Sequence, residues 1–252
     1  MQNILIRFAF NGAAYHGFQV QRNAPTVCAA VQDAMEQVLG ARPDVKGVSR
    51  TDAGVHARDF CLSFFADTAI PFEKLPLALN SRLPPDIRVW KALPVPADFH
   101  ARYSALGKEY HYIIRNSPVD DPFTDGFYYR VPGPLDAGAM AEAAAHLEGK
   151  HDFASFMGIS GDVVENTTRT ISAISVARAG ETLTLAVAAD GFLYHMVRII
   201  AGTVLEAGLG RLAPQAVPDI IAARDRQRAG PTLPAKGLFL HRVFYPEGII
   251  RA

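Results

Sequence analysis

Val45-Lys46-Gly47-Val48-Ser49-Arg50-Thr51-Asp52-Ala53-Gly54-Val55-His56-Ala57-Arg58-Asp59-Phe60-Cys61-Leu62-Ser63-Phe64-Phe65 is the stretch around which the chain is organised. Val45 to Val48 is a short apolar approach that reads as a strand, and Phe60 to Phe65 is a second strand-like run. Between them lies a turn of small residues closed by Gly54. Asp52 therefore sits on a tight turn between strands, where a scaffold holds a side chain in place and lets it face a cleft. Arg50, two residues earlier, adds a cation to the same small volume. An aspartate near a glycine also makes an ordinary Asx-turn that only accepts backbone N–H groups. The turn alone does not separate the two readings, so the flanking sequence has to.

Upstream, Ile4, Ile6, Phe8 and Phe10 alternate with Asn3, Leu5, Arg7 and Ala9, the pattern of a strand with one strongly buried face. The run Asn11 to Gln21 is rich in glycine, aromatics and amides. It reads equally as a plain connection or as a surface that stacks on and hydrogen-bonds to bases. Thr26 is a good N-cap and Gly40 a good C-terminal stop. Between them Val27, Val31, Ala34, Val38 and Leu39 share a helical face. A short helix is expected near Phe72 to Asn80, and a strand over Ile87, Val89 and Lys91. The first hundred or so residues thus read as a βαββαβ unit, an antiparallel sheet with helices on one face. The RNA-recognition module has a related layout, but layout alone does not imply RNA binding.

Pro94 and Pro96 mark a break, which places a division of the chain into residues 1–105 and 106–252. Beyond it, Tyr110, Tyr112 and Ile114 share one face of a strand. Asn116 to Asp125, with Pro118 and Pro122, is a surface loop, and Asp136 to Gly149 an Ala-rich helix. Met157 to Arg169 is polar and reads as a mobile loop. Leu183, Leu185 and Val187 mark a strand, Phe192 to Ala207 an apolar helix, and Pro214 to Arg224 a short helix. Arg224, Arg226 and Arg228 read as a solvated helix end with phosphate contact as the other reading; Gly237 to Phe244 is a final strand. The second half repeats the strand-and-helix mixture of the first. The expected fold is α+β, two similar βαββαβ-like halves whose sheets form one extended antiparallel sheet with flanking helices and a central cleft.

Composition bounds the function. With 252 residues, 49% of them hydrophobic, the chain can build a large core. Its formal net charge is zero, so global charge predicts no polyanion partner, though a local patch suffices. Of the 25 basic residues only Lys46, Lys74, Lys91, Lys108, Lys150 and Lys236 are lysine, and arginine suits bidentate phosphate contacts and base stacking. Cys28 and Cys61 read as small core residues rather than a disulfide or metal pair. His16, His56, His100, His111 and His195 lack close metal-ligand spacing, so no metal is expected and a metal-dependent hydrolase is disfavoured. The N-terminus has no signal-peptide layout, and Phe192 to Leu205 is too short and too charged to span a bilayer. A cytoplasmic protein with no membrane partner is expected.

Arg198 raises a physical question. It lies in a helix that is apolar nearly all round, and a buried guanidinium needs an anion. Its helical neighbours Tyr194, His195, Ala201 and Gly202 include no acid. A partner from another segment is expected, and Asp52 is the acid on the most site-like turn. Otherwise Arg198 snorkels to solvent.

The block Arg50-Thr51-Asp52-Ala53-Gly54-Val55-His56-Ala57 resembles the signature of the TruA-type tRNA pseudouridine synthases. Gly17 to Gln21, Asp98 to Arg102, Glu109 to Tyr112, Phe192 to Arg198 and Lys236 to Leu240 match that family's further blocks in the same order, so the resemblance spans essentially the whole chain. Ile159 to Glu165 departs from it, being less basic. The resemblance implies an isomerase that converts uridine to pseudouridine at positions 38, 39 and 40 of the tRNA anticodon stem-loop. It implies Asp52 as the catalytic carboxylate, Arg198 as its salt-bridge partner, and Tyr110 as the ring stacked on the target base. Arg50 would hold the flipped nucleotide or fill its place, and Leu238 would wall the pocket. It further implies a homodimer that takes tRNA across both subunits, with no cofactor. The residues leave open whether Asp52 attacks base or sugar or forms a glycal, and whether Tyr110 accepts the C5 proton. Two rivals remain at this stage: a non-catalytic RNA-binding or chaperone protein of the same fold, and a synthase for another RNA site.

Overall fold

In the computed structural model, residues 1–159 and 164–249 are described. In chain order they form β1 (Gln2–Phe10), α1 (Val27–Leu39), β2 (Val45–Gly47), β3 (His56–Ala66), α2 (Leu75–Asn80), β4 (Ile87–Pro94), β5 (Gly107–Arg115), β6 (Tyr129–Arg130), α3 (Ala137–Ala145), β7 (Gly149–Asp152), β8 (Thr168–Ala179), β9 (Thr182–Ala189), α4 (Met196–Gly208), α5 (Val217–Ala223) and β10 (Leu238–Phe244). The chain divides into two compact units, residues 1–106 with 239–252, and residues 107–238. The class is α+β, with largely antiparallel sheet and flanking helices, as the sequence implies.

In the first unit the strand order is β4-β1-β3-β10, with β2 also on β3. The β1–β3, β1–β4 and β2–β3 pairs are antiparallel; β10 runs parallel to β3, pairing Phe239 with His56 and Leu240 with Ala57. The β1 strand is buried on both faces over Asn3 to Ile6, not on one as its alternation suggested. Asn3 survives there by donating to the carbonyls of Pro96 and Phe99, each at 2.8 Å. Arg7 survives by a bidentate pair with Asp59 and by lying 4.7 Å from the Trp90 ring centre. Helix α1 runs as its caps dictate: Thr26 accepts from the Ala29 N–H, and Gly40 closes it at φ 74°. Cys28 and Cys61 are free and buried, and burial pushes the Cys28 thiol up to about 11.

In the second unit the order is β5-β9-β8-β7, all antiparallel, with β6 parallel on β5. Helix α3 packs on α4 and β8. Strands β7 and β8 carry no clear signal in the sequence: β7 is four residues long, and β8 buries only Ile171. Part of the expected 157–169 loop is therefore strand, and its residues 160–163 lie outside the described residues. Helix α4 begins at Met196 rather than Phe192, since His195 takes φ 59° and breaks the helical path. Within the Arg224–Arg228 cluster, Arg224 caps α5 and is exposed, as is Arg228, whereas Arg226 is half-buried. Arg226 donates to the carbonyls of Ala229 and Gly230 and to Thr232, and Arg224 pairs with Asp152 at 2.9 Å.

Candidate active site

In the first unit, the Asp52 carbonyl accepts from the Val55 N–H at 3.2 Å, with Gly54 at φ 77°. This is the type II geometry, whose third position calls for glycine. Asp52 is half-buried and Arg50 exposed on the same turn. The loop from Asn11 to Gln21 lies against the backbone of this turn. The Phe18 N–H donates to the Thr51 carbonyl, and the Gly54 N–H to the Tyr15 carbonyl, both at 3.2 Å. A Cβ on Gly17 would lie 2.3 Å from the Thr51 carbonyl oxygen, and one on Gly12 would lie 1.9 Å from that of Val55. Both glycines are thus required by close approach. The loop is itself anchored: the Tyr15 hydroxyl donates to Asp86 at 2.7 Å, and the Gly12 N–H to His56 Nδ1 at 3.0 Å. Phe18 stacks on Phe60 with centres 4.4 Å apart. Neither sequence reading of this loop anticipates that it braces the Asp52 turn; the only trace is a pair of glycines in a loop rich in aromatics.

The second unit holds the other expected residues. Tyr110, on β5 opposite Val187, is buried, and the Phe192 ring meets it edge-on at 5.0 Å. Arg198 is the third residue of α4. Its Nε donates to the Leu233 carbonyl at 2.7 Å, and its own carbonyl accepts the Leu233 N–H at 3.2 Å. The segment so held leads to Leu238. A Cβ on Gly202 would come within 1.9 Å of the Pro231 carbonyl oxygen. The Tyr112 hydroxyl, whose pKa burial raises, donates to the Pro234 carbonyl at 2.8 Å. Leu238 is buried at the start of β10. So α4 and β5 both grip residues 231–238. His56 accepts from Gly12, His100 accepts from the Arg102 N–H, and His111 lies 2.6 Å from Glu109.

A family model described as tRNA pseudouridine synthase matches residues 7–104 and 143–246. The chain belongs to the tRNA pseudouridine synthase family. Among similar proteins, tRNA pseudouridine synthase A of Moorella thermoacetica is 47% identical over 247 residues, covering 97% of this chain and 100% of that protein. The protein of the same name from Acetivibrio thermocellus is 41% identical over 245 residues, again covering 97% and 100%. That from Halalkalibacterium halodurans is 42% identical over 243 residues, covering 96% and 92%. Members of the tRNA pseudouridine synthase family are isomerases acting on tRNA uridine. For such chemistry a carboxylate on a braced turn has the right character, because its position does not have to be found anew in each encounter. No helix among the described residues is long and apolar enough to cross a membrane.

Proposed function

We propose that this enzyme converts uridine to pseudouridine at positions 38, 39 and 40 of the tRNA anticodon stem-loop, with Asp52 as the catalytic carboxylate. Arg198 is its ion-pair partner, Tyr110 stacks on the target base, Arg50 holds the flipped nucleotide or fills its place, and Leu238 walls the pocket. The enzyme works as a homodimer in the cytoplasm and needs no cofactor. The observation that carries the reading is the bracing of the Asp52 turn by Gly12, Tyr15, Gly17 and Phe18. A turn serving only to connect two strands needs no second loop packed to contact against its carbonyls.

The reaction breaks the C1′–N1 bond, turns the uracil and joins C5 to C1′; C5 loses its proton to solvent and N1 takes one up. Atoms and electrons balance without an oxidant or reductant. The base must leave its stack to be reached and rotated. An ionised carboxylate is the reactive form, and a guanidinium beside it favours that form.

The test uses a tRNA transcript tritiated at uridine C5, incubated with wild-type protein and with Asp52→Ala. Tritium release by wild type alone supports the reading, and mapping the modified sites distinguishes 38 to 40 from another RNA address. Release by both proteins assigns the chemistry to another residue. Release by neither, with tRNA still bound, favours a non-catalytic RNA-binding role.

A further inference from the structure

Just before α4 the chain adopts a backbone that its residues do not favour. His195 has φ 59°, a left-handed conformation that L side chains rarely adopt. The result of that turn is specific. The His195 ring lies against the Tyr194 ring, with centres 3.7 Å apart and planes 25° from parallel. Gly158 fits the pair closely. Its N–H donates to the Tyr194 carbonyl at 2.8 Å, and a Cβ there would lie 3.0 Å from both the Tyr194 ring and His195 Nδ1.

Tyr194 nevertheless remains 43% exposed, while its neighbour Leu193 is 7% exposed. An aromatic ring backed by imidazole, fixed through its backbone and open to solvent is poorly explained as core. Strain retained in a backbone points to a use for what it positions. The substrate of this family is tRNA, whose unpaired bases stack on such rings, and a ring already held in place loses little entropy when a base lands on it.

We propose that Tyr194, backed by His195, is a stacking platform for an unpaired nucleobase of the tRNA substrate. It is a positioning contact and makes or breaks no bond. The proposal rests on tRNA being the substrate.

The test compares wild type with Tyr194→Ala, Tyr194→Phe and Tyr194→Trp, using full-length tRNA. The readouts are Kd, kcat and KM for tritium release, and thermal melting. Tyr194→Ala is expected to raise Kd and KM about tenfold, with kcat within about twofold of wild type. Phe and Trp restore binding, and melting stays unchanged across the set. Wild-type Kd in Tyr194→Ala overturns the platform. So does a Tyr194→Phe variant as weak as Tyr194→Ala, which would assign the contact to the hydroxyl. A wild-type protein that neither binds tRNA nor releases tritium overturns the substrate reading, and the platform with it.

Discussion

At the scale of single residues, two glycines separate steric contact from backbone preference. Gly17 has φ 84° and abuts the Thr51 carbonyl, whereas Gly40 has φ 74° with nothing within 4 Å of its missing Cβ. Gly40→Ala should cost about 1 kcal/mol in a denaturant melt and leave tritium release intact. Gly17→Ala should cost about 2 kcal/mol or more and also lower kcat at least tenfold, because relieving the clash moves the Asp52 turn. Equal losses of activity in both would contradict the bracing role. His100 gives a pH prediction. Desolvation, then nearby Lys46, lowers its pKa below the usual 6.5, and its Nδ1 already accepts the Arg102 N–H at 3.1 Å. The folded protein thus binds fewer protons here than the unfolded chain. The stabilisation is complete above pH 6.5 and is lost as pH falls through the lowered value. His100→Asn should flatten the decline of melting temperature between about pH 7 and pH 5, a comparison that differential scanning fluorimetry settles.

Elements show how far the sequence could be read. Helix α1 was legible end to end because both of its stop signals, Thr26 and Gly40, are side-chain or backbone signals written locally. Helix α4 was legible as apolar, but its start was not. Phe192 and Leu193 continue the apolar run, and nothing in a histidine announces φ 59°. Strand β8 hid because a register shift between Ile171 and Ala173 puts Ile171 and Ile174 three apart, which breaks the period-two pattern that Ile174 and Val176 continue. The site divides the same way. Asp52 and Gly54 stood out as a turn, but the bracing by Gly12 and Gly17 depends on backbone carbonyls distant in sequence. The Leu233 carbonyl that accepts from Arg198 likewise has no side-chain signature. Packing of α4 on residues 230–233 offers a test at this scale. Buried Thr203 accepts the Gly230 N–H at 2.9 Å and donates to the Ile199 carbonyl at 2.9 Å. Thr203→Val keeps the shape and strands the Gly230 donor, so urea unfolding should register a loss of about 1–3 kcal/mol.

For the whole molecule, zero net charge and a tRNA substrate are compatible only if binding draws on local arginine-rich surface. The logarithm of Kd for tRNA should therefore rise linearly with the logarithm of salt concentration despite the neutral chain. A salt-independent Kd would sink that expectation. Sedimentation at micromolar concentration tests the proposed homodimer.

The return of β10 to β3 has a further consequence, in the order of events during synthesis. Residues 107–238 leave the ribosome before the last strand of the first unit exists. Until then β3 is paired by β1 along one edge and by β2 only near Leu62 to Phe64, so the edge at His56 and Ala57 stays open. That open edge adjoins the Asp52 turn. When Phe239 arrives, its ring lies 4.7 Å from that of His56, the residue that accepts from Gly12 in the bracing loop. A nascent chain thus carries every residue of the Asp52 turn long before it carries the strand that finishes its support. Chains interrupted before β10 keep an unpaired strand edge, the feature by which incomplete sheets associate and are recognised for destruction.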